Sequence, residues 1–241
     1  MRGKVLTEGG VKNTNVTVQL ELNPMQSNKT LAALVAASLS ATVAQAATVY
    51  NNATTYTGNV FNPGASQVGD EVILGGTDRV GETFRFEYYG SGTWNNNETV
   101  RIRFYQNDGP LYPNTVFFDS GAQTLPFPSD ISGRNTLQYD LLSSFVTLPN
   151  DFTWSVQFGG IDSGETAALA LYNPPTFGNN YDDYWFNNGA TWELRAATNG
   201  TPINFGATIT AVPEPSTYLL AILGGICGFA LVNRRPRSAK K

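Results

Sequence analysis

Histidine is absent from the 241-residue chain, and cysteine occurs once, at Cys227. Without imidazole there is no His-based triad, no His metal site and no proton shuttle of the usual kind. Cys227 falls in an apolar run near the C-terminus, so the region ahead of it has neither a thiol nucleophile nor a disulfide. Lysine is missing from the whole of 47–211, where six Arg stand against sixteen Asp and Glu, a net charge of −10. Nucleic acid demands basic surface, and this region has none to offer. Charged residues of all kinds make up only 14% of the chain. Any catalysis would have to be built from carboxylates, Tyr, Ser or Thr.

What is present is aromatic and turn-forming: 12% Phe, Trp and Tyr, with 24 Gly and 13 Pro. That composition suits an all-β domain with a core of its own and is too apolar for a disordered chain. Period-two alternation recurs along 47–211. Phe84, Phe86 and Tyr88 alternate with Arg85 and Glu87, and Val100, Ile102 and Phe104 with Arg101 and Arg103. Trp154, Val156 and Phe158 repeat the pattern, as do Trp192 with Leu194 and Phe205 through Ala211. Val72–Leu74, Val116–Phe118 and Leu169–Leu171 are shorter candidates, and 137–145 reads as a strand. Gly75-Gly76, Asp108-Gly109, Gly159-Gly160 and Asn188-Gly189 supply turns. At least eight strands and no helix predict an antiparallel β-sandwich, jelly-roll-like, over 47–211.

The chain ahead of this domain divides in two. Residues 1–24 are a polar leader and a candidate mis-assigned start, with Met25 as the alternative initiator. Residues 25–46 have Lys29, an apolar stretch from Leu31 to Val43 and a small-x-small pair at Ala44 and Ala46. This pattern predicts a secretory signal peptide cleaved between Ala46 and Ala47.

Within the domain, 173–188 is the most suggestive stretch and reads as a loop. Tyr181, Asp182, Asp183, Tyr184, Trp185 and Asn187 combine ring faces with amides and carboxylates, the groups that sugar recognition uses. The same residues could instead pack on the sandwich edge. Asp162, Glu165, Asp182 and Asp183 are candidate ligands for a structural calcium ion, although their spacing matches no EF-hand. Glu82, Glu87, Glu98, Glu165 and Glu193 are the glutamates available to a carboxylate-based glycoside hydrolase or lyase. Arg101 and Arg103 read as a sheet face paired with acids. The reading favours a non-enzymatic protein.

The C-terminal region, 212–241, has three parts. Val212, Pro213, Glu214, Pro215, Ser216 and Thr217 are extended by their prolines. An apolar run from Tyr218 to Val232 follows, predicted as a short transmembrane helix. Residues 233–241 are basic, with Arg234, Arg235 and Arg237 as the membrane stop. This order resembles the PEP-CTERM sorting signal of Gram-negative bacteria, and Pro236 within the basic run is a departure from it. The resemblance implies an exosortase as processing partner, transient residence in the inner membrane, and export to the cell surface or extracellular matrix. A structural or adhesive role follows from that address, with a carbohydrate-binding module for exopolysaccharide as the alternative.

Overall fold

A computed structural model describes residues 45–109, 113–125, 131–197 and 200–214. All of them fall within one contact unit, 43–221. The first seven strands are β1 (Ala47–Asn51), β2 (Tyr56–Phe61), β3 (Gln67–Ile73), β4 (Val80–Gly92), β5 (Thr99–Tyr105), β6 (Val116–Thr124) and β7 (Ile131–Asp140). Then come β8 (Asp151–Gly159), β9 (Thr166–Tyr172), β10 (Asn179–Asn180), β11 (Tyr184–Asn187), β12 (Trp192–Arg195) and β13 (Ala207–Val212). The strands form two antiparallel sheets. One has six strands in the order β1-β13-β4-β9-β2, with β7 also on β4. The other has seven in the order β12-β11-β3-β8-β5-β6, with β10 also on β3.

The alternation read from the sequence decides which side chains lie between the sheets. Phe84, Phe86 and Tyr88 of β4 are fully buried, as are Ile102 and Phe104 of β5 and Phe152, Trp154 and Val156 of β8. The Phe84 ring centroid is 5.1 Å from Phe104 and 5.1 Å from Trp154, joining the two sheets through edge and tilted ring contacts. Phe104 extends the cluster to Phe152 at 5.1 Å, and Trp154 to Phe205 at 6.1 Å. Each large ring carries a sizeable apolar burial, and such tilted pairs add to it.

Two features depart from the sequence expectations. The stretch 173–188 is not one loop, because β10 and β11 lie within it and both pair with β3. After β7, residues 142–144 turn as a 3-10 helix that ends at Phe145, held at φ 48° and largely exposed.

The fold expectation needs correction as well. Sheets of six and seven strands exceed the eight of a jelly roll. Among the described residues no helix is long and apolar enough to cross a membrane, and the three-residue turn at Leu142–Ser144 is the helical element they contain. The span expected at 218–232 lies outside the described residues, as do the basic stop at Arg234, Arg235 and Arg237, and Pro215 and Ser216. Val212 closes β13 opposite Val80, and Pro213 and Glu214 follow it without regular structure. At the other end, Ala44 and the signal-peptide residues before it lie outside the described residues. Ala46 immediately precedes β1, and Ala47, its first residue, pairs with Ala211.

Among the buried polar residues, a carboxyl sits between the sheets. Asp70 lies on β3 between the inward-facing Val68 and Val72, opposite Trp154, and is completely buried. Its Oδ2 accepts the Phe205 amide at 3.0 Å, and Phe205 bridges to Leu171 of β9 in the other sheet. Burial pushes the Asp70 carboxyl well above the usual carboxylate range, against the weaker opposing pull of the Phe205 amide and the Asn180 side chain. An Asp in an unfolded chain releases its proton at about pH 3.9. The folded chain therefore keeps a proton that the unfolded chain gives up. Stability is fully present below that pH and falls as pH rises, by up to about 1.4 kcal/mol per unit until the buried group ionises. Asp70→Asn retains an oxygen acceptor for Phe205 and removes this slope. Urea denaturation of both proteins between pH 4 and 8 checks it: the wild type should lose more stability with rising pH than the variant, and parallel curves would refute the assignment.

Candidate functional site

Period two also decides what the outer face of the seven-stranded sheet displays. Gln67 and Gly69 of β3, Ser155 and Gln157 of β8, Arg101 and Arg103 of β5, and Trp185 and Asn187 of β11 point away from the core. On this face is a cleft of about 390 Å³, lined by Ala65, Ser66, Gln67, Arg103, Gln157, Asn187, Asn188 and Gly189. Four strands and two turns meet there. Asn187 pairs with Gln67 across β11 and β3, and Arg103 pairs with Ser155 across β5 and β8.

Gln67 is the centre of a fixed network. Its Nε2 donates to the Tyr105 hydroxyl at 2.9 Å and to Ser155 Oγ at 2.6 Å. Its Oε1 accepts from Arg103 Nη1 at 2.9 Å. Ser155 Oγ in turn donates to the Arg103 carbonyl at 3.2 Å. Gln67 is 7% exposed and Ser155 fully buried, so these bonds hold their groups in place with little competition from water. Trp192 packs edge-on against Tyr105 at 5.2 Å and walls the same face.

Asp119 of β6 holds the two arginines of β5. Arg101 reaches it with two bonds, Nε to Oδ1 at 2.8 Å and Nη2 to Oδ2 at 2.5 Å. Arg103 adds Nε to Oδ2 at 3.3 Å, and the Gly121 amide donates to Oδ1 at 2.9 Å. Chiefly through the Arg101 hydrogen bonds, the Asp119 carboxyl is pushed down to about 2. The reading of these arginines as a sheet face paired with acids thus finds its acid in Asp119.

The residues proposed from the sequence for glycan contact are dispersed. Tyr184 points inward, its ring 4.8 Å from Phe61 in an edge contact. Trp185 faces outward opposite Gly69 but is only 8% exposed. Neither ring offers a free face, since strand pairing has absorbed both. Tyr181 is exposed, the Asp182 carbonyl accepts the Ile203 amide at 3.2 Å, and burial raises the Asp183 carboxyl. Of the six, Asn187 lines the cleft.

The calcium candidates occupy different turns. Asp162 and Glu165 close the β8–β9 turn, where the Asp162 amide donates to Glu165 Oε2 at 2.7 Å. Asp162 Oδ2 accepts from Asn95 Nδ2 at 3.0 Å and Asn97 Nδ2 at 3.2 Å. Asp182 and Asp183 lie between β10 and β11. Among the described residues no group of three or more His, Cys, Asp or Glu is placed to hold a metal ion.

The glutamates are likewise spread. Glu98 is buried and accepts the Asn95 amide at 2.7 Å, Glu193 pairs with Arg195 at 2.6 Å, and Glu82 accepts from Thr210 at 2.9 Å. Glu87 lies on the outer face of the other sheet, where it accepts from the Tyr172 hydroxyl and sits 3.7 Å from Arg134. Gln67 and Ser155 were not singled out from the sequence. Their signal was a polar residue at alternate positions of strands whose other face is apolar.

No family model matches the chain, and neither a curated protein nor a solved structure matches it. The sorting reading is corrected here. It required a membrane-crossing helix, and no described helix is long and apolar enough for that. The exosortase partner, the inner-membrane passage, the export to surface or matrix, and the structural or adhesive role that followed from that address are set aside with it.

The Asp119 geometry makes a pH prediction. A carboxyl depressed to about 2 in the fold, against about 3.9 unfolded, contributes stability that is present above about pH 4 and lost as pH falls toward 2. Asp119→Asn should therefore lose less of its melting temperature than the wild type between pH 4 and pH 2. An equal loss in thermal scans would contradict the pairing.

Proposed function

We propose that this domain is a non-catalytic receptor for a hydroxyl-rich ligand, which it takes in the cleft on the outer face of the seven-stranded sheet. The observation that supports this most is the Gln67 network: a buried amide that lines the cleft is anchored to Tyr105 and Ser155 and holds Arg103, which also lines it, in a fixed position. Side-chain amides present donors and acceptors together, and Gln157, Asn187 and Asn188 bring three of them to the cavity beside Gln67, whose own two N–H groups are spent on Tyr105 and Ser155. Hydroxyl groups, which both donate and accept, are the natural partners of such a surface. Pre-ordered groups lose little freedom when a ligand arrives.

The reading as non-catalytic draws on the same lining. Hydrolysis of glycosides by the usual route needs two carboxyl groups facing across a cleft, and among the described residues no carboxylate lines this one. Asp119, nearby, is committed to Arg101 and held ionised, which unfits it as a general acid.

Calorimetric titration of the protein with a panel of neutral oligosaccharides tests the proposal. Asn187→Ala, at the cleft rim, should weaken binding about fivefold to tenfold, the worth of one lost hydrogen bond. Gln67→Ala should weaken it further, since it also frees Arg103. If no saccharide binds the wild-type protein, or if both variants bind as it does, the cleft is not the receptor site.

A further inference from the structure

We infer that the ligand of this cleft bears a single carboxylate, placed against Arg103; this deepens the receptor reading and rests on it. Among the described residues Arg103 is the one charged side chain lining the cavity. Its nearest acid does not neutralise it. Asp119 gives both oxygens to Arg101, at 2.8 and 2.5 Å, and touches Arg103 through one longer bond of 3.3 Å. Two guanidinium groups thus share one carboxylate, which leaves one positive charge over, and of the two arginines Arg103 lines the cleft.

The remaining bonds of Arg103 orient it. Nε is turned to Asp119 and Nη1 to Gln67 Oε1 at 2.9 Å, while Nη2 bonds to none of the described residues. The side chain is only 15% exposed, so its residual charge is weakly screened. A guanidinium fixed at Nε and Nη1, with Nη2 bonded to none of the described residues, is suited to a carboxylate, which Nη2 meets with a charge-assisted hydrogen bond. The surrounding amides then meet the hydroxyl groups.

The wider field limits how much charge the ligand can carry. The region 47–211 has a net charge of −10, so a polyanion is repelled as it approaches while one short-range contact still favours a lone carboxylate. The class that satisfies both conditions is an otherwise neutral saccharide with one uronic acid unit.

The test uses the full chain and four probes. These are an aldobiouronic acid (one glucuronate linked to one neutral sugar), its methyl ester, the matching neutral disaccharide, and tetragalacturonate. At 50 mM NaCl the acid should bind about tenfold tighter than either uncharged disaccharide, the return expected of one charge-assisted contact. Tetragalacturonate should bind no better than the acid and should gain on it as salt rises to 300 mM, because salt screens the repulsion. In Arg103→Gln the acid and its methyl ester should bind alike. The ester keeps the protein intact, so the inference stays testable if that variant fails to fold. Equal binding of acid and ester by the wild type overturns the carboxylate while leaving a neutral-saccharide receptor standing. Tighter binding of tetragalacturonate at low salt overturns the single-charge limit. No binding of any probe overturns both this inference and the receptor reading.

Discussion

The bond from the Phe205 amide to the buried Asp70 carboxyl sets the register on which the rest of the structure depends. Strand side chains alternate faces, so sliding β3 by one residue would turn Asp70 out and carry Gln67 and Glu71 into the aromatic core. With Asp70 held inward, Val68 and Val72 join the core opposite Val156 and Phe152, and Gln67 is presented to the outer face. The same bond reaches a residue that bridges to the opposite sheet, so it also fixes how the two sheets are stacked. A neutral, hydrogen-bonded carboxyl achieves this at lower cost than an ionised one would, because an unpaired buried charge is far more expensive than a buried dipole.

The outer face shows how polar groups are kept orderly on a sheet. Gln67 and Ser155 are as inaccessible as core residues, yet their partners are all within reach on neighbouring strands. The network is therefore a rigid floor. Charge is managed differently, by unequal sharing of Asp119 between two arginines one alternation apart on β5. The two devices meet at Arg103, which is gripped by the amide on one side and the acid on the other.

The aromatic core was legible because each of its strands carries the pattern locally: Phe84-Phe86-Tyr88 and Trp154-Val156-Phe158 declare their faces without reference to anything else. Asp70 was not legible. Val68-Gly69-Asp70-Glu71 looks like a turn, and what makes it a strand is distant. Gly69 leaves room beside Thr153, where a Cβ would come within 2.8 Å of its methyl carbon, and Asp70 finds its partner at Phe205. The stretch around Trp185 admitted two readings for a related reason. Rings interleaved with Asn and Asp have the same composition in a sugar-binding loop and in a short strand, and pairing with β3 is what decides between them. The cleft itself draws on β3, β5, β8 and β11, so no single window of sequence contains it.

The distribution of basic residues has one more consequence. Five of the six arginines in 47–211 lie within strands, and Arg79, the sixth, has its guanidinium bonded to Asn150 and to the carbonyls of Gly75, Gly76 and Asp78. With no lysine between them, a protease that cuts after basic residues finds in this region peptide bonds that must leave a β ladder before they fit its active site. Tryptic digestion of the body is thus gated by opening of the sheets, and its rate reads out that opening directly.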